Sequence, residues 1–248
     1  MRPVVLVTGG SRGIGAATAR LAAQAGYAVA VNYASRADAA EALVQQIRSQ
    51  GGTAIAVQAD VAVESQVMAM FAAVDAQFGP LTALVNNAGV VDVACRLDAM
   101  SLARLKRMVD INLMGSMLCA REAVRRMSSL YGGAGGAIVN VSSAAARLGG
   151  AGQYVDYAAT KGAIDTLTIG LSKEVATEGI RVNAVRPGII DTDIHASGGQ
   201  PDRAHRLAAT VPMQRPGTAQ EVAQAIVWLL SSQASYLTGA LLDVAGGH

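Results

Sequence analysis

The chain has 248 residues, of which 52% are hydrophobic and 15% charged, and its formal net charge is +2. This length and composition suit one large domain with a substantial core, or two small ones. The small charge and the absence of a dense lysine/arginine block argue against a nucleic-acid-binding protein, and we interpret the basic stretch 121–127 as one solvated helix face. So few charges leave apolar surface that is usually buried between subunits, so we expect an oligomer.

The cysteines and the N-terminal stretch bear on the compartment. Cys95 and Cys119 lack the paired spacing of a metal site, which indicates free thiols in a reducing environment. The chain enters the apolar run 3–7 almost at once, without signal-peptide architecture, and no apolar stretch is long enough to cross a bilayer. We therefore expect a cytosolic protein with no membrane partner. Three scattered histidines, assigned neither to catalysis nor to a metal site, are His195, His205 and His248.

Seven short runs rich in Val, Ile and Leu alternate with helical patterns. The runs span residues 3–9, 27–33, 53–60, 81–89, 136–143, 180–188 and 240–247. Several are apolar at successive positions, as in strands that are covered on both faces. The alternation predicts an α/β fold, namely a single Rossmann-type, doubly wound domain with a seven-stranded parallel sheet and helices on both faces. No linker divides the chain, so we predict one domain over residues 1–248.

Three of the helical patterns have recognisable ends. The first stops at Gly26, the second has Ser35 as a possible N-cap, and the third stops at Gly79 and Pro80. Segment 189–218 is irregular and rich in Gly, Ser, Pro and His, and a further helical pattern follows it. We interpret this segment as a flap over a substrate site, with a plain surface loop as the alternative.

The stretch TGGSRGIG at residues 8–15 stands at the carboxyl end of the first predicted strand, where doubly wound sheets bind ligands. Gly9 and Gly10 permit a tight turn, while Gly13 and Gly15 let phosphate oxygens and the following helix approach the backbone. The helix N-terminus adds free N–H groups and the positive end of the helix dipole. The spacing is neither GxGxxG nor a Walker P-loop.

This stretch resembles the cofactor loop of the classical short-chain dehydrogenases/reductases. The resemblance extends from Thr8 to Gly247 with every motif in order, and it includes 3-oxoacyl-[acyl-carrier-protein] reductase-like and glucose dehydrogenase-like members. It implies that the loop, the following strand ends and the turn after the sixth strand bind a nicotinamide dinucleotide. The residues predicted to contact this cofactor are Gly9, Ser11, Arg12, Gly13, Ile14, Gly15, Asn32, Ser35, Arg36, Asp60, Val61, Asn87, Ala88, Gly89, Tyr157, Lys161, Pro187, Gly188, Ile190 and Thr192.

The residues after the second predicted strand bear on the choice between the two nicotinamide dinucleotides. An enzyme that binds a free ribose 2′-hydroxyl places an acid there, whereas this chain has no carboxylate before Asp38. Arg12 in the glycine loop, together with Ser35 and Arg36, offers cationic and hydroxyl partners for an additional phosphate. We therefore predict NADP(H), with NAD(H) as the alternative.

A tyrosine and a lysine with helical spacing carry the predicted chemistry. Carbonyl reduction needs a proton donor for the forming alkoxide, and a tyrosine with a pKa of about 10 becomes a better acid/base beside an ammonium group. Tyr157 and Lys161 are four residues apart and share a helix face, whereas Tyr154 has Ala158 at that distance. We predict that Tyr157 is the catalytic acid/base and that Lys161 lowers its pKa.

The family resemblance implies two further catalytic residues. Ser143, at the end of the strand VNVSS, would hydrogen-bond the substrate carbonyl like an oxyanion stabiliser, with Ser142 as the alternative and a turn-forming role as the other interpretation. Asn112, inside an apolar helical pattern, would bend the helix and hold a water near Lys161. The alternative for Asn112 is a core amide that satisfies a neighbouring backbone.

Together these motifs predict an NADP(H)-dependent oxidoreductase that acts on the carbonyl or secondary alcohol of a small molecule. The end of the chain, YLTGALLDVAGGH, resembles the family's final strand, which packs against a partner subunit, so we expect a homotetramer or a homodimer. One alternative is an NAD-dependent sugar or polyol dehydrogenase. Another is a non-catalytic NADP-binding regulator, against which the complete set of Ser143, Tyr157 and Lys161 argues.

Overall fold

The computed structural model describes residues 2–248, except for the side chain of His195. The strands of this part of the chain are β1 (Val4–Val7), β2 (Ala28–Tyr33), β3 (Thr53–Gln58), β4 (Ala83–Asn86), β5 (Gly136–Val141), β6 (Ile180–Pro187), β7 (Ile190–Asp191), β8 (Gly217–Thr218) and β9 (Leu241–Val244). Seven of them form one parallel sheet in the order β3-β2-β1-β4-β5-β6-β9. Each lies within one of the seven predicted runs, so the predicted sheet is confirmed.

Helices cover both faces of this sheet. They are α1 (Gly13–Gln24), α2 (Ala37–Ser49), α3 (Glu64–Phe78), α4 (Leu102–Val109), α5 (Gly115–Met127), α6 (Ala145–Leu148), α7 (Val155–Glu174), α8 (Ile194–Ser197), α9 (Arg203–Arg206) and α10 (Ala219–Leu230). Helices α1, α2 and α10 pack on one face, and α3 and α5 pack on the other. Over residues 2–248, no helix combines the length and the hydropathy that a bilayer span requires.

Strand β1 shows why the apolar runs are continuous. Val5 and Val7 are buried in the core on the side of α1 and α10, while Val4 and Leu6 are buried in the core on the opposite side. Successive side chains of a strand point to opposite faces, so a strand between two helical layers needs an apolar residue at every position. The doubly wound architecture follows from this two-sided burial.

The ends of two helices are as predicted, and the start of a third is not. Gly26 follows α1 with φ +91°, and Gly79 ends α3 with φ +83°, both in the left-handed region that favours glycine. The prediction of Ser35 as the N-cap of α2 is wrong, because Arg36 occupies the N-cap and the helix begins at Ala37. Asp38 then lies in the first turn, where its charge complements the helix dipole.

Segment 189–218 contains short elements that the sequence pattern does not predict. Strand β7 pairs in parallel with β8, with Ile190 opposite Gly217 and Asp191 opposite Thr218, and helices α8 and α9 lie between them in sequence. These helices have four residues each, too few to show a helical period in the sequence. The pairing holds both ends of the segment together near the carboxyl end of β6.

Candidate active site

The glycine loop after β1 is held against the ends of β2 and β4 by side-chain amides. The N–H of Gly9 donates to Oδ1 of Asn32 (3.0 Å), and Nδ2 of Asn87 donates to the carbonyl oxygens of Thr8 and Gly9 (both 2.9 Å). Gly9 has φ +58°, and a Cβ there would lie 2.9 Å from Cα of Ala88. The loop therefore requires glycine both for its conformation and for its close approach to β4.

The start of α1 is suited to an anion. Its N-cap residue, Arg12, supplies no side-chain acceptor for the first-turn N–H groups. These groups and the helix dipole are the elements that bind phosphate in other helix N-termini. Gly15, a predicted cofactor contact, lies behind the loop, where a Cβ would come within 2.5 Å of Nδ2 of Asn87. Gly15 therefore allows the helix and the loop to pack closely, and it is not among the residues that line the two cavities described below.

Two adjoining cavities run along the carboxyl edge of the sheet. They have volumes of about 500 Å³ and about 370 Å³ and share Ile14, Asn87, Gly89, Thr192 and Ile194 as lining residues. We call them the dinucleotide cavity and the substrate cavity. The predicted cofactor contacts that line the dinucleotide cavity are Gly9, Ser11, Arg12, Gly13, Ile14, Asn32, Ser35, Arg36, Asp60, Val61, Asn87, Ala88, Gly89 and Thr192. Those that line the substrate cavity also include Tyr157, Lys161, Pro187, Gly188 and Ile190.

Two polar residues of the dinucleotide cavity are engaged with the protein itself. The Asn32 side chain is buried, accepts from Gly9 and donates to the carbonyl oxygen of Ala59 (3.0 Å). Oδ1 of Asp60 accepts from the N–H of Ala62 (3.0 Å). The Asn32 side chain therefore shapes the wall of the cavity by binding the backbone of Gly9 and Ala59. Its position at the end of a strand does not predict this role.

The arginines of the dinucleotide cavity differ in their partners. Arg36 forms a salt bridge with Asp38 (3.0 Å), and this carboxylate raises the pKa of Arg36. Asp38, in the first turn of α2, therefore already neutralises one of the two cations predicted to bind an additional phosphate. Arg12 forms no ion pair with any residue that the structure describes.

The two serines that follow β5 have different environments. Ser142 is buried, and its hydroxyl donates to the carbonyl oxygen of Lys161 (3.1 Å). Ser143 accepts from the N–H of Ala145 (3.1 Å), and its hydroxyl lies next to that of Tyr157, whose pKa it lowers. Ser143, which the family resemblance favours over Ser142, is thus the serine beside the phenol.

Tyr157 and Lys161 lie one turn apart on α7 and both line the substrate cavity. Nζ of Lys161 donates to the carbonyl oxygen of Val141 (2.7 Å) and lies 5.5 Å from the centroid of the Tyr157 ring. Burial lowers the pKa of Lys161 to about 8, and the carboxylate of Asp165 acts in the opposite direction. At neutral pH, Lys161 is therefore charged in most copies of the protein.

The pKa of Tyr157 differs from the expectation. Burial raises the pKa of this phenol above its ordinary value, and the hydrogen bond with Ser143 only partly opposes this effect. The predicted lowering by Lys161 is wrong for the protein alone, because burial penalises both the phenolate and the ammonium that would stabilise it. Tyr157 is therefore neutral at neutral pH and carries the proton that a reduction requires.

Asn112 occupies a π-helical turn, Asp110–Met114, between α4 and α5. Its side chain is fully buried and pairs with both backbone groups of Val90, donating to the carbonyl oxygen (2.9 Å) and accepting from the N–H (2.8 Å). A Cβ on Gly89 would lie 3.4 Å from Oδ1 of Asn112 and 3.6 Å from Nζ of Lys161. Asn112 thus anchors the chain after β4 beside the lysine, although it does not line the cavity.

Other groups near the site were not assigned roles from the sequence. Asp156 forms a buried salt bridge with Arg104 (2.8 Å). Arg147 pairs with Asp243 (3.3 Å) and donates to the carbonyl oxygen of His248 (2.8 Å), and neither Asp156 nor Arg147 lines the cavity. Arg203 and the C-terminal His248 line the substrate cavity, and no local motif marks them because they arrive from distant segments. Among the side chains that the structure describes, no cluster of three or more His, Cys, Asp or Glu residues could bind a metal ion.

Comparison with known proteins gives one consistent result. Residues 9–248 match the family model described as "Enoyl-(Acyl carrier protein) reductase". The chain is 59% identical to "Uncharacterized oxidoreductase YgfF" of Escherichia coli K12, over 98% of this chain and 99% of the relative. It is 40% identical to a cis-4-hydroxycyclohexanecarboxylate dehydrogenase of Sinomonas cyclohexanicum, over 99% and 96% of the two chains.

Solved structures agree with these relatives. A short-chain dehydrogenase of Burkholderia cenocepacia in complex with NADP has a TM-score of 0.90 and 33% identity, with 99% of this chain and 97% of that one covered. This chain belongs to the short-chain dehydrogenase/reductase family. A 3-ketoacyl-(acyl-carrier-protein) reductase of Brucella melitensis complexed with NADH has a TM-score of 0.90 and 30% identity, with the same coverage.

As a member of the short-chain dehydrogenase/reductase family, the chain is an oxidoreductase that uses a nicotinamide cofactor and a small-molecule substrate. The dinucleotide cavity fits such a cofactor. It combines a glycine loop that a Cβ would obstruct, a helix N-terminus without a side-chain cap and a wall of small residues after β4.

Proposed function

We propose that the protein is an NADP(H)-dependent reductase of carbonyl compounds, or dehydrogenase of the corresponding secondary alcohols, with Ser143, Tyr157, Lys161 and Asn112 at its catalytic site. The observation that carries the proposal is a half-buried phenol beside a buried ammonium group, both lining the same cavity as a serine hydroxyl. A protein that only bound the cofactor would have no need for this proton chemistry.

Each residue has one role in the proposed mechanism. When bound, the nicotinamide supplies the hydride for reduction or accepts it in oxidation. Ser143 donates a hydrogen bond to the substrate oxygen, and the Tyr157 hydroxyl donates its proton to the same oxygen as negative charge develops there. The Lys161 ammonium stabilises the phenolate that this transfer leaves. Asn112 holds the chain after β4 so that Gly89 stays close to Lys161.

The proposal assigns cofactor binding to residues along both cavities. The glycine loop and the start of α1 bind the pyrophosphate, Asp60 and Val61 face the adenine, and Asn87, Ala88 and Gly89 form the wall beside the ribose and nicotinamide. Pro187, Gly188, Ile190 and Thr192 close the nicotinamide end. The support for these assignments is the position of the residues along the cleft. Segment 189–218 is proposed as a flap, since Thr192, Ile194 and Arg203 contribute to the substrate cavity.

The choice of NADP(H) over NAD(H) rests on Arg12. Of the two arginines near the end of β2, Arg12 has no acidic partner in the described chain, whereas Arg36 is already paired with Asp38. This pairing is the specific observation that favours the second candidate function, an NAD-dependent dehydrogenase of sugars or polyols, because it reduces the positive charge available to a 2′-phosphate.

Arg12→Ala is expected to raise KM for NADPH by about 10- to 100-fold, since a hydrogen bond to a charged group contributes about 1.5–3 kcal/mol. KM for NADH should change little, because NADH lacks the phosphate. Arg36→Ala is the matched control and should have the smaller effect, since Asp38 already neutralises this residue. Steady-state kinetics with both cofactors measure the selectivity. An equal loss for NADPH and NADH in the Arg12 variant would contradict the assignment.

The proposed function is tested by assaying ketones, sugars and acyl thioesters with NADPH and with NADH, following the loss of reduced-cofactor absorbance. Turnover that is faster with NADPH is the expected result. Turnover with NADH alone would replace the proposal with the second candidate. Tight cofactor binding without turnover on any carbonyl would instead support a non-catalytic regulator.

The proposal includes self-association and a cytosolic location. Apolar side chains are exposed along α4, the π-helical turn and α5, with exposed fractions of 67% for Leu102 and 44% for Met114. Trp228 and Tyr236 are also exposed. Such surface supports a homotetramer, with a homodimer as the alternative, and light scattering in solution distinguishes the two. The free thiols of Cys95 and Cys119 support the reducing compartment.

A further inference from the structure

We propose that Arg203 binds a carboxylate of the substrate, so that the enzyme acts on oxo acids and hydroxy acids small enough for the substrate cavity. The inference rests on the proposed function and adds to it a substrate class and a specificity-determining residue. It is carried by the position of Arg203, by its lack of an acidic partner and by the charge of the cavity around it.

The Arg203 side chain is held in place on the wall of the cavity. Its guanidinium lies over the ring of Tyr154, 5.4 Å from the centroid, and Nη2 donates to Oε1 of Gln153 (3.0 Å). Tyr154 is itself buried, and its hydroxyl accepts from Nε2 of Gln200 (3.1 Å). The guanidinium is therefore ordered before a ligand arrives, and less conformational entropy is lost on binding.

Arg203 lacks the acidic partner that other arginines near the site have. Arg104 pairs with Asp156, Arg186 with Asp165 and Arg147 with Asp243. No carboxylate of the described chain lies within salt-bridge distance of Arg203, which is only partly exposed. A partly desolvated guanidinium with one neutral hydrogen-bond partner has donors left for an anion.

The charged side chains that line the substrate cavity favour an anion. None of its lining residues is Asp or Glu, whereas Lys161 and Arg203 both line it. Much of the remaining wall is apolar, including Val91, Leu148 and Ile194. Such a cavity suits a molecule with an apolar body, a carbonyl at the Ser143–Tyr157 end and a negative charge that reaches Arg203.

A carboxylate is the anion that fits best. The planar fork of a guanidinium matches a carboxylate with two parallel hydrogen bonds. The cavity of about 370 Å³ must also hold the nicotinamide end of the cofactor, which leaves room for a compact oxo acid. A long acyl thioester is too large for the room that remains in this cavity.

The test compares one carbonyl compound in a charged and a neutral form. In the wild-type protein, kcat/KM for 4-oxocyclohexanecarboxylate should exceed that for its methyl ester by at least tenfold. Arg203→Met should reduce this preference by about 10- to 100-fold, mainly through KM for the acid, as expected for a lost charge-assisted hydrogen bond. Arg203→Lys should restore part of it. Arg206→Met, which removes a cation from the same helix but not from the cavity wall, should keep the preference.

Several outcomes would overturn the inference. They are a wild-type preference for the ester, a preference for acetoacetyl-coenzyme A that does not depend on Arg203, and equal losses for acid and ester in Arg203→Met. If no carbonyl compound is reduced at all, the proposed function fails, and calorimetry decides the inference separately. Wild-type protein should then bind cyclohexanecarboxylate at least tenfold more tightly than Arg203→Met does, and the absence of wild-type binding would overturn the carboxylate site.

Discussion

Tyr157→Phe is expected to lower kcat for carbonyl reduction by about 10³-fold, within the range that loss of a positioned general acid produces. The half-buried phenol lines the substrate cavity and its pKa is raised, so the wild-type side chain holds its proton at neutral pH. Phenylalanine keeps the ring and its packing but has no proton to donate. Steady-state assays with NADPH measure kcat. Fluorescence titration measures the dissociation constant of the cofactor, which should change little.

Tyr154→Phe is the matched control for this prediction. Tyr154 lines the same cavity, and its hydroxyl accepts a hydrogen bond from Gln200, but its i+4 neighbour is Ala158 rather than a lysine. The loss of kcat should be much smaller than in the Tyr157 variant. Retention of most turnover by Tyr157→Phe, or similar losses in the two variants, would exclude Tyr157 as the proton donor.

Lys161→Met is expected to lower kcat by about 10²-fold, since the developing phenolate would lose the adjacent positive charge. The same charge gives the wild-type enzyme a pH profile. The pKa of Lys161 is lowered to about 8, so the ammonium is present below that pH and is lost above it. We therefore expect kcat/KM for reduction to fall as pH rises through about 8. Tyr157 does not account for this limb, because its pKa is raised from 10.0.

Asp165→Asn tests which group titrates. The Asp165 carboxylate raises the pKa of Lys161 against the effect of burial, so its removal should shift the falling limb to lower pH. Asp165 also pairs with Arg186 (2.8 Å), which in turn lies 3.8 Å from Asp243. Asp243→Asn therefore perturbs the same arginine without removing the carboxylate that acts on Lys161, and its limb should stay in place. A limb that does not move in Asp165→Asn would contradict the role of Lys161.

The sheet was predictable because its strands are local patterns with a physical cause. The run at β1 is apolar at every position since helices cover both of its faces, and the same cause acts on the other six strands of the sheet. The glycine loop was predictable for a similar reason, because its conformation restricts the residue type at Gly9. The shared helix face of Tyr157 and Lys161 follows from their spacing, whereas the place of Ser143 beside them was implied by the family resemblance; all three line one cavity.

Features that depend on contacts between distant segments were not predictable. The β7–β8 pairing joins segments that are far apart in sequence, and each of the two strands is only two residues long. A bend at Asn112 and a backbone partner for its amide were both expected, but the π-helical form of the turn and the choice of Val90 as that partner depend on the fold. The raised pKa of Tyr157 reflects burial by several elements, and Arg203 reaches the cavity from the short helix α9.

The central claim is that the Tyr157 hydroxyl and the Lys161 ammonium face the nicotinamide of a dinucleotide that lies along the carboxyl edge of the sheet. A crystal structure of the protein with NADP⁺ tests it most directly. The predicted result has the pyrophosphate at the start of α1, Nζ of Lys161 within hydrogen-bond distance of the nicotinamide ribose, and the Tyr157 hydroxyl beside the reactive face of the ring. A dinucleotide bound elsewhere, or with its nicotinamide outside the cavity that Ser143 and Tyr157 line, would contradict the account.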